Sequence, residues 1–219
     1  MKKITLLSLV MIAVQFQGQS QQIDSGFSAL SSPEKWWVIW HPFKAKKALD
    51  VSIKTLAITD SIKKEGLIGT DLNGGQLDAF KHTYWMVILS KNIGPKAANS
   101  LGNAHEKGNY KTFKNGGKED GYLPDKAASD MDLHNNKAGI DIYNQHDQAS
   151  EHTMIEEVIK ALYKGKLRMI KKEGSNFLNC EGHVIEPSVL IGTWENEKCL
   201  IPTSDLGNDS IIISMFHIL

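Results

Sequence analysis

Apolar residues recur along most of this chain at the three-and-four spacing of amphipathic helices, and alternation of the strand type is confined to its end. The first helical run opens at Ser31-Ser32-Pro33-Glu34, with a serine N-cap, a proline in the first turn and an acid near the positive end of the helix dipole. It carries Trp36, Trp37 and Trp40 and stops at His41-Pro42, because the residue before a proline avoids helical backbone. These tryptophans are expected to pack at the edge of a bundle rather than to form a sugar or lipid surface. Residues 43–64 place Ala45, Leu49, Ile53 and Leu56 on one stripe and Val51, Ile58 and Ile62 on an adjacent one, so cover is expected on both faces of one long helix.

Glycines 66, 69, 74 and 75 mark a loop, and GGQLDAFKHTYW then breaks into a helix running to about residue 91. Ile93-Gly94-Pro95 is a stop and restart. The next helix carries Ala97, Ala98, Leu101 and Ala104, small enough for close helix approach, and delivers His105-Glu106 at its expected end. Residues 108–126, including Lys114-Asn115-Gly116-Gly117-Lys118, read as a long polar loop, a lid or a tolerated insertion. A fourth pattern covers residues 129–144. A fifth, capped at Ser150, is expected to run over residues 151–172 with Met154, Ile155, Val158, Ile159, Leu162 and Leu167 inward. Beyond it, Val184-Ile185, Val189-Leu190-Ile191 and Cys199-Leu200-Ile201 suggest short strands. The apolar run 211–219 is an added strand or a disordered tail.

The expected fold is mainly α, a bundle of five or six helices with a small C-terminal β-hairpin. Residues 31–176 form the helical domain, 177–219 a C-terminal segment with short strands, and 21–30 a flexible N-terminal segment.

Residues 1–20 combine Lys2-Lys3, an apolar run from Ile4 to Val14 and small or polar residues before Gln21, the pattern of a secretory signal peptide. The chain is therefore expected to be exported, to a periplasm or the exterior. No later stretch approaches the roughly 20 apolar residues of a membrane helix, so none is expected in the mature chain. Cleavage after Ser20 removes two lysines and no acids, leaving 23 basic against 25 acidic residues, a charge of about −2. As a net charge, such a balance offers nothing to recruit nucleic acid or an anionic membrane electrostatically. Partner and oligomeric state are not legible. In an oxidising compartment Cys180 and Cys199 are expected to pair.

Three segments bring histidine together with acids or amides. Asp78 and His82 lie one helical turn apart, beside Phe80, Tyr84 and Trp85; His105 precedes Glu106; and Asp130, Asp132, His134, Asn135 and Asn136 share the fourth helix. Helices joined by short connections meet face to face, so these segments can converge. Two chemistries then fit. His82, His105, His134 and Asp132 are candidate ligands of a divalent metal such as zinc, which activates water. Alternatively His82 is a general base oriented by Asp78, with Asp132 or Glu106 as second acid. Asn135, Asn136, Tyr84 and Trp85 are the candidate substrate contacts. HExxH, ExxH and CxxC patterns are absent. Asp130 or Asp132 can equally cap a helix, and His82 can be a satisfied core histidine.

The run DAFKHTYW, then AHE, then MDLHNNKAGIDI resembles a bacterial family of exported proteins, a domain of unknown function whose members read DAFRHAYW, AHE and MDxHNNxxG. The resemblance covers residues 34–142 and implies that Asp78, His82, Tyr84, Trp85, His105, Glu106, Asp132, His134, Asn135, Asn136 and Gly139 belong to one unit. It implies no reaction. Lys81 departs from the family's arginine, which removes a planar bidentate donor. A looser similarity to the paired helices of phospholipase A2 breaks at Thr83, where that family has an aspartate. The sequence reads best as a hydrolase using a His/Asp/Glu/Asn site with or without a divalent metal. The alternatives are a non-catalytic binding or structural module with a buried polar network, or an envelope-acting toxin-like domain.

Overall fold

Capping chemistry and glycines set most helix ends in the computed structural model, which describes residues 27–118 and 121–205. The expected signal peptide and apolar tail lie outside the described residues. Helix α1 (Ser32–Trp40) starts from a capping box: the Ser31 N–H donates to Glu34 Oε2 at 2.8 Å while Ser31 Oγ accepts from the Glu34 N–H. Helix α2 (Pro42–Glu65) ends at Gly66 in the left-handed region. Helices α3 (Gln76–Ile93), α4 (Pro95–Lys114), α5 (Lys126–Gln145) and α6 (Glu151–Tyr163) follow, and a short α7 (Pro187–Leu190) lies near the C-terminal end.

Helix α3 is the axis of the bundle. Residues on every side of it are buried, from Leu77 and Phe80 to Tyr84, Val87 and Ile88, so it is enclosed by α2, α4, α5 and α6 rather than amphipathic. Small residues permit this enclosure. A Cβ on Gly139 of α5 would stand 2.3 Å from the Thr83 carbonyl oxygen, and one on Gly102 of α4 would stand 3.1 Å from Asn136 Nδ2.

Four expectations about the helices need correction. Of the tryptophans only Trp37 is in the core, while Trp36 and Trp40 are 61% and 76% exposed. On α2 the core face is Ala48, Val51, Thr55, Thr59 and Ile62; Ile53 and Leu56 are exposed, because the neighbouring α3 covers only one stripe. Helix α4 continues to Lys114, so His105 and Glu106 sit mid-helix and the polar loop shortens to residues 115–125. Tyr110 and Phe113 on its last turns pack against Trp194, a contact no local pattern announces. Helix α6 stops at Tyr163, where Gly165 takes a positive φ and the Gly165 and Lys166 N–H groups donate to Leu162 and Ala161 carbonyls. That Schellman-type closure turns the chain into a strand, which keeps Leu167 buried without helix.

Strand β1 (Arg168–Ile170) pairs antiparallel with β4 (Leu200–Pro202), Met169 opposite Ile201, and β2 (Lys172–Glu173) pairs with β3 (Asn176–Phe177) across a turn with Gly174 at positive φ. Of the expected strands, residues 189–191 instead contribute to α7 and its end, and Val184 makes an isolated bridge to Leu178. Cys180 and Cys199 form a disulfide across 19 positions of sequence. Replacing both by serine is expected to lower stability by about 3 kcal/mol, as for opening a loop of this length. A denaturant midpoint unchanged from the parent would contradict the clamp. Among the described residues no helix is long and apolar enough to cross a membrane.

Candidate functional site

The glycine turn before α3 explains why Asp78 is held where it is. Gly74 has a positive φ of 82°, and its N–H donates to Asp78 Oδ2 at 2.8 Å. The same turn is pinned by β1, because the Ile170 N–H donates to the Gly74 carbonyl at 2.7 Å and a Cβ on Gly74 would meet Ile170 at 2.6 Å. One helical turn on, His82 faces Asp78, and Asp132 of α5 approaches from the other side. His82 Nε2 lies 3.6 Å from Asp78 Oδ1 and 3.4 Å from Asp132 Oδ1. One donor atom from each residue lies within 4.8 Å of the others, and all three side chains are buried. Lys81 Nζ stands 3.0 Å from Asp78 Oδ1, so the aspartate answers to three neighbours.

Burial pushes the His82 imidazole well below its ordinary pKa, and the Lys81 and His105 charges add to the effect. The ring is thus neutral at physiological pH, the form a metal or a transferred proton requires. Asn136 acts weakly the other way on that ring, although its amide makes no hydrogen bond of regular geometry.

A cavity of about 780 Å³ reaches His82 of this group, while Asp78 and Asp132 are not part of its lining. Its polar lining includes Lys81, His82, His105 and Glu34, with Trp85 beside them, whereas Trp37, Val38 and Ile39 of α1 and Ala45, Leu49 and Leu56 of α2 make an apolar wall. Ala45, Leu49 and Leu56, from the stripe of α2 that does not form its core face, therefore line a hollow. His105 sits across from His82, ring centres 6.2 Å apart, with its Nδ1 3.0 Å from Glu34 Oε1 and its edge against Trp85. Trp85 in turn donates to Ser52 Oγ at 2.9 Å.

Other candidates point elsewhere. Glu106 accepts from Ser129 Oγ at 2.8 Å and Asn109 Nδ2 at 3.3 Å, a buried contact between α4 and α5. Asn135 exchanges two hydrogen bonds with the Arg168 backbone and so fastens β1 to α5. His134 is exposed and donates to the Lys166 carbonyl. Tyr84 is fully buried and stacked on Phe80; burial, then Glu151, pushes its phenol up to about 12. Asp130 is exposed, and the cap of α5 is Asp125, not Asp130 or Asp132.

Glu34 is the site residue that sequence reasoning missed, since its spacing from Ser31 reads only as a cap. Burial alone raises its pKa, but the His105 hydrogen bond and charge, and the Ser31 hydroxyl and N–H, reverse this and hold it at about 2. A carboxyl with a folded pKa below its unfolded one contributes stability above the unfolded value, lost as pH falls toward the folded one. Between the ordinary 4.5 and about 2, the chain is expected to lose on the order of 3 kcal/mol from this group. Glu34→Gln should flatten that part of a stability–pH profile; an equally steep acid limb in the variant would refute the assignment.

No curated protein and no solved structure matches the chain. A family profile described as a domain of unknown function (DUF6973) matches residues 35–166, which contain α3, α4 and α5 and with them every member of the Asp78/His82/Asp132 group. The chain belongs to that family.

Proposed function

We propose that this is a hydrolase of an exported chain, with Asp78, His82 and Asp132 holding a divalent cation, zinc by preference, at the wall of the apolar cavity. The carrying observation is the convergence of one imidazole and two carboxylates. Their nitrogen–oxygen separations of 3.4 and 3.6 Å exceed those of direct hydrogen bonds. Both are near the edge of about 3.3 Å that bonds of roughly 2.0–2.1 Å give in a tetrahedral zinc site, and the three donor atoms, within 4.8 Å of one another, would draw together on an ion. When bound, zinc lowers the pKa of a coordinated water to about 7 and polarises a carbonyl or phosphoryl oxygen. The chain's own residues supply the rest. The Gly74 N–H and Lys81 fix the Asp78 carboxylate, His82 offers a neutral ring, and the His105–Glu34 pair faces the opposite side of the hollow. The apolar wall from α1 and α2 excludes water around a bound substrate. The Cys180–Cys199 disulfide and the N-terminal segment 1–20 support export.

The contacts of Asp78 with Gly74 and Lys81 favour a second reading, a buried polar network that fixes helix register without catalysis. Elemental analysis after zinc loading, with hydrolysis of a nitrophenyl ester series, separates the two. The hydrolytic reading expects one zinc per chain and ester turnover, both lost in a folded His82→Ala variant. A parent that takes up no metal, with a variant that no longer melts cooperatively, supports the network.

A further inference from the structure

The corner where α1 meets α2 exposes more large apolar surface than any packing role explains. Trp36, Ile39, Trp40 and Phe43 are 61%, 55%, 76% and 94% exposed, and Ile39 also lines the cavity. Between residues 35 and 47 the chain carries Lys35, Lys44, Lys46 and Lys47 and no acid. Lys44 is drawn inward to the Ile93 carbonyl, while Lys46 and Lys47 remain exposed. Tryptophans with adjacent lysines on a helix surface are the composition that settles at the headgroup level of a bilayer.

We infer that the α1–α2 corner is a docking surface for an anionic lipid bilayer. Charge decides between this occupant and a second copy of the chain. A symmetric dimer through this corner would set Lys46 and Lys47 near their own copies, whereas anionic headgroups complement them. Continuity with the cavity agrees: Ile39 and Pro42 belong both to the corner and to the lining that reaches His82. Docking at this corner needs no spanning helix, and among the described residues there is none. Docking itself requires no chemistry at His82. Only the further consequence, that the cavity takes an acyl ester from the bilayer, rests on the hydrolytic reading.

The test is co-sedimentation of the chain from Gln21 onward, without the apolar 1–20 segment that would itself enter a bilayer, with phosphatidylcholine vesicles, with and without phosphatidylglycerol. Binding should require phosphatidylglycerol and weaken with salt. Trp36→Ser/Trp40→Ser/Phe43→Ser should weaken it roughly ten-fold or more, and Lys46→Glu/Lys47→Glu should remove the preference for the anionic lipid. Because these side chains are exposed, both variants should melt like the parent. His82→Ala should sediment like the parent; a parent chain that docks yet takes up no zinc and turns over no ester would refute the hydrolytic reading alone. Parent and variants binding equally, no binding by the parent, or concentration-dependent dimerisation abolished by the triple variant without any vesicle binding would each overturn the docking surface.

Discussion

Gly139→Ala should destabilise the fold by about 3 kcal/mol, at the upper end for overpacking a tight core. The added methyl would stand 2.3 Å from the Thr83 carbonyl oxygen and 2.9 Å from Met86 Cβ, atoms that cannot rotate away. Helices α3 and α5 must separate instead. Because Thr83 follows His82 and Asp132 lies two turns before Gly139 on α5, the same displacement should weaken metal uptake. Gly66→Ala is the control: its Cβ would meet nothing within 4 Å, leaving only the left-handed backbone strain of about 1 kcal/mol. Denaturant midpoints compare the two. Equal losses would show that the approach of α3 and α5 is not the constraint.

Asp132→Asn should reduce zinc affinity by on the order of 100-fold or more, since it removes a ligand charge from the group and leaves its volume unchanged. Calorimetric titration reads this directly. A thermal melt of the same variant separates loss of the ligand from loss of the fold, since removing one member of a buried polar group can also destabilise. Glu106→Gln is the informative partner. Glu106 is equally buried, but it is engaged with Ser129 and Asn109, and its replacement should leave zinc affinity unchanged. A loss in Glu106→Gln as large as in Asp132→Asn would mean that the site had been drawn around the wrong acid.

How much was legible in the sequence differed by kind of feature. Local chemistry could be read: the Ser31–Glu34 start of α1, the glycine turn before α3, the pairing of Asp78 with His82 and the disulfide all rest on short-range patterns. Gly165 was an available stop signal for α6, overridden because Leu167 continued the helical spacing. Which of two stripes on α2 faces the core was not available, since both are apolar and only the position of α3 decides. The same limit governs the site. Periodicity places His82, His105 and His134 on helices but not their rotation about the bundle, so it cannot tell that His105 looks across the cavity and His134 toward the Lys166 carbonyl. Glu34 joins them from 71 positions away through a single contact.

Crystals of the full chain soaked in zinc, with diffraction recorded on both sides of the zinc absorption edge, test the central claim most directly. An anomalous peak between Asp78 Oδ1, His82 Nε2 and Asp132 Oδ1, absent from crystals of His82→Ala, is the predicted result. A strong peak only at surface histidines such as His152 or His183, with the buried group unchanged, would contradict it.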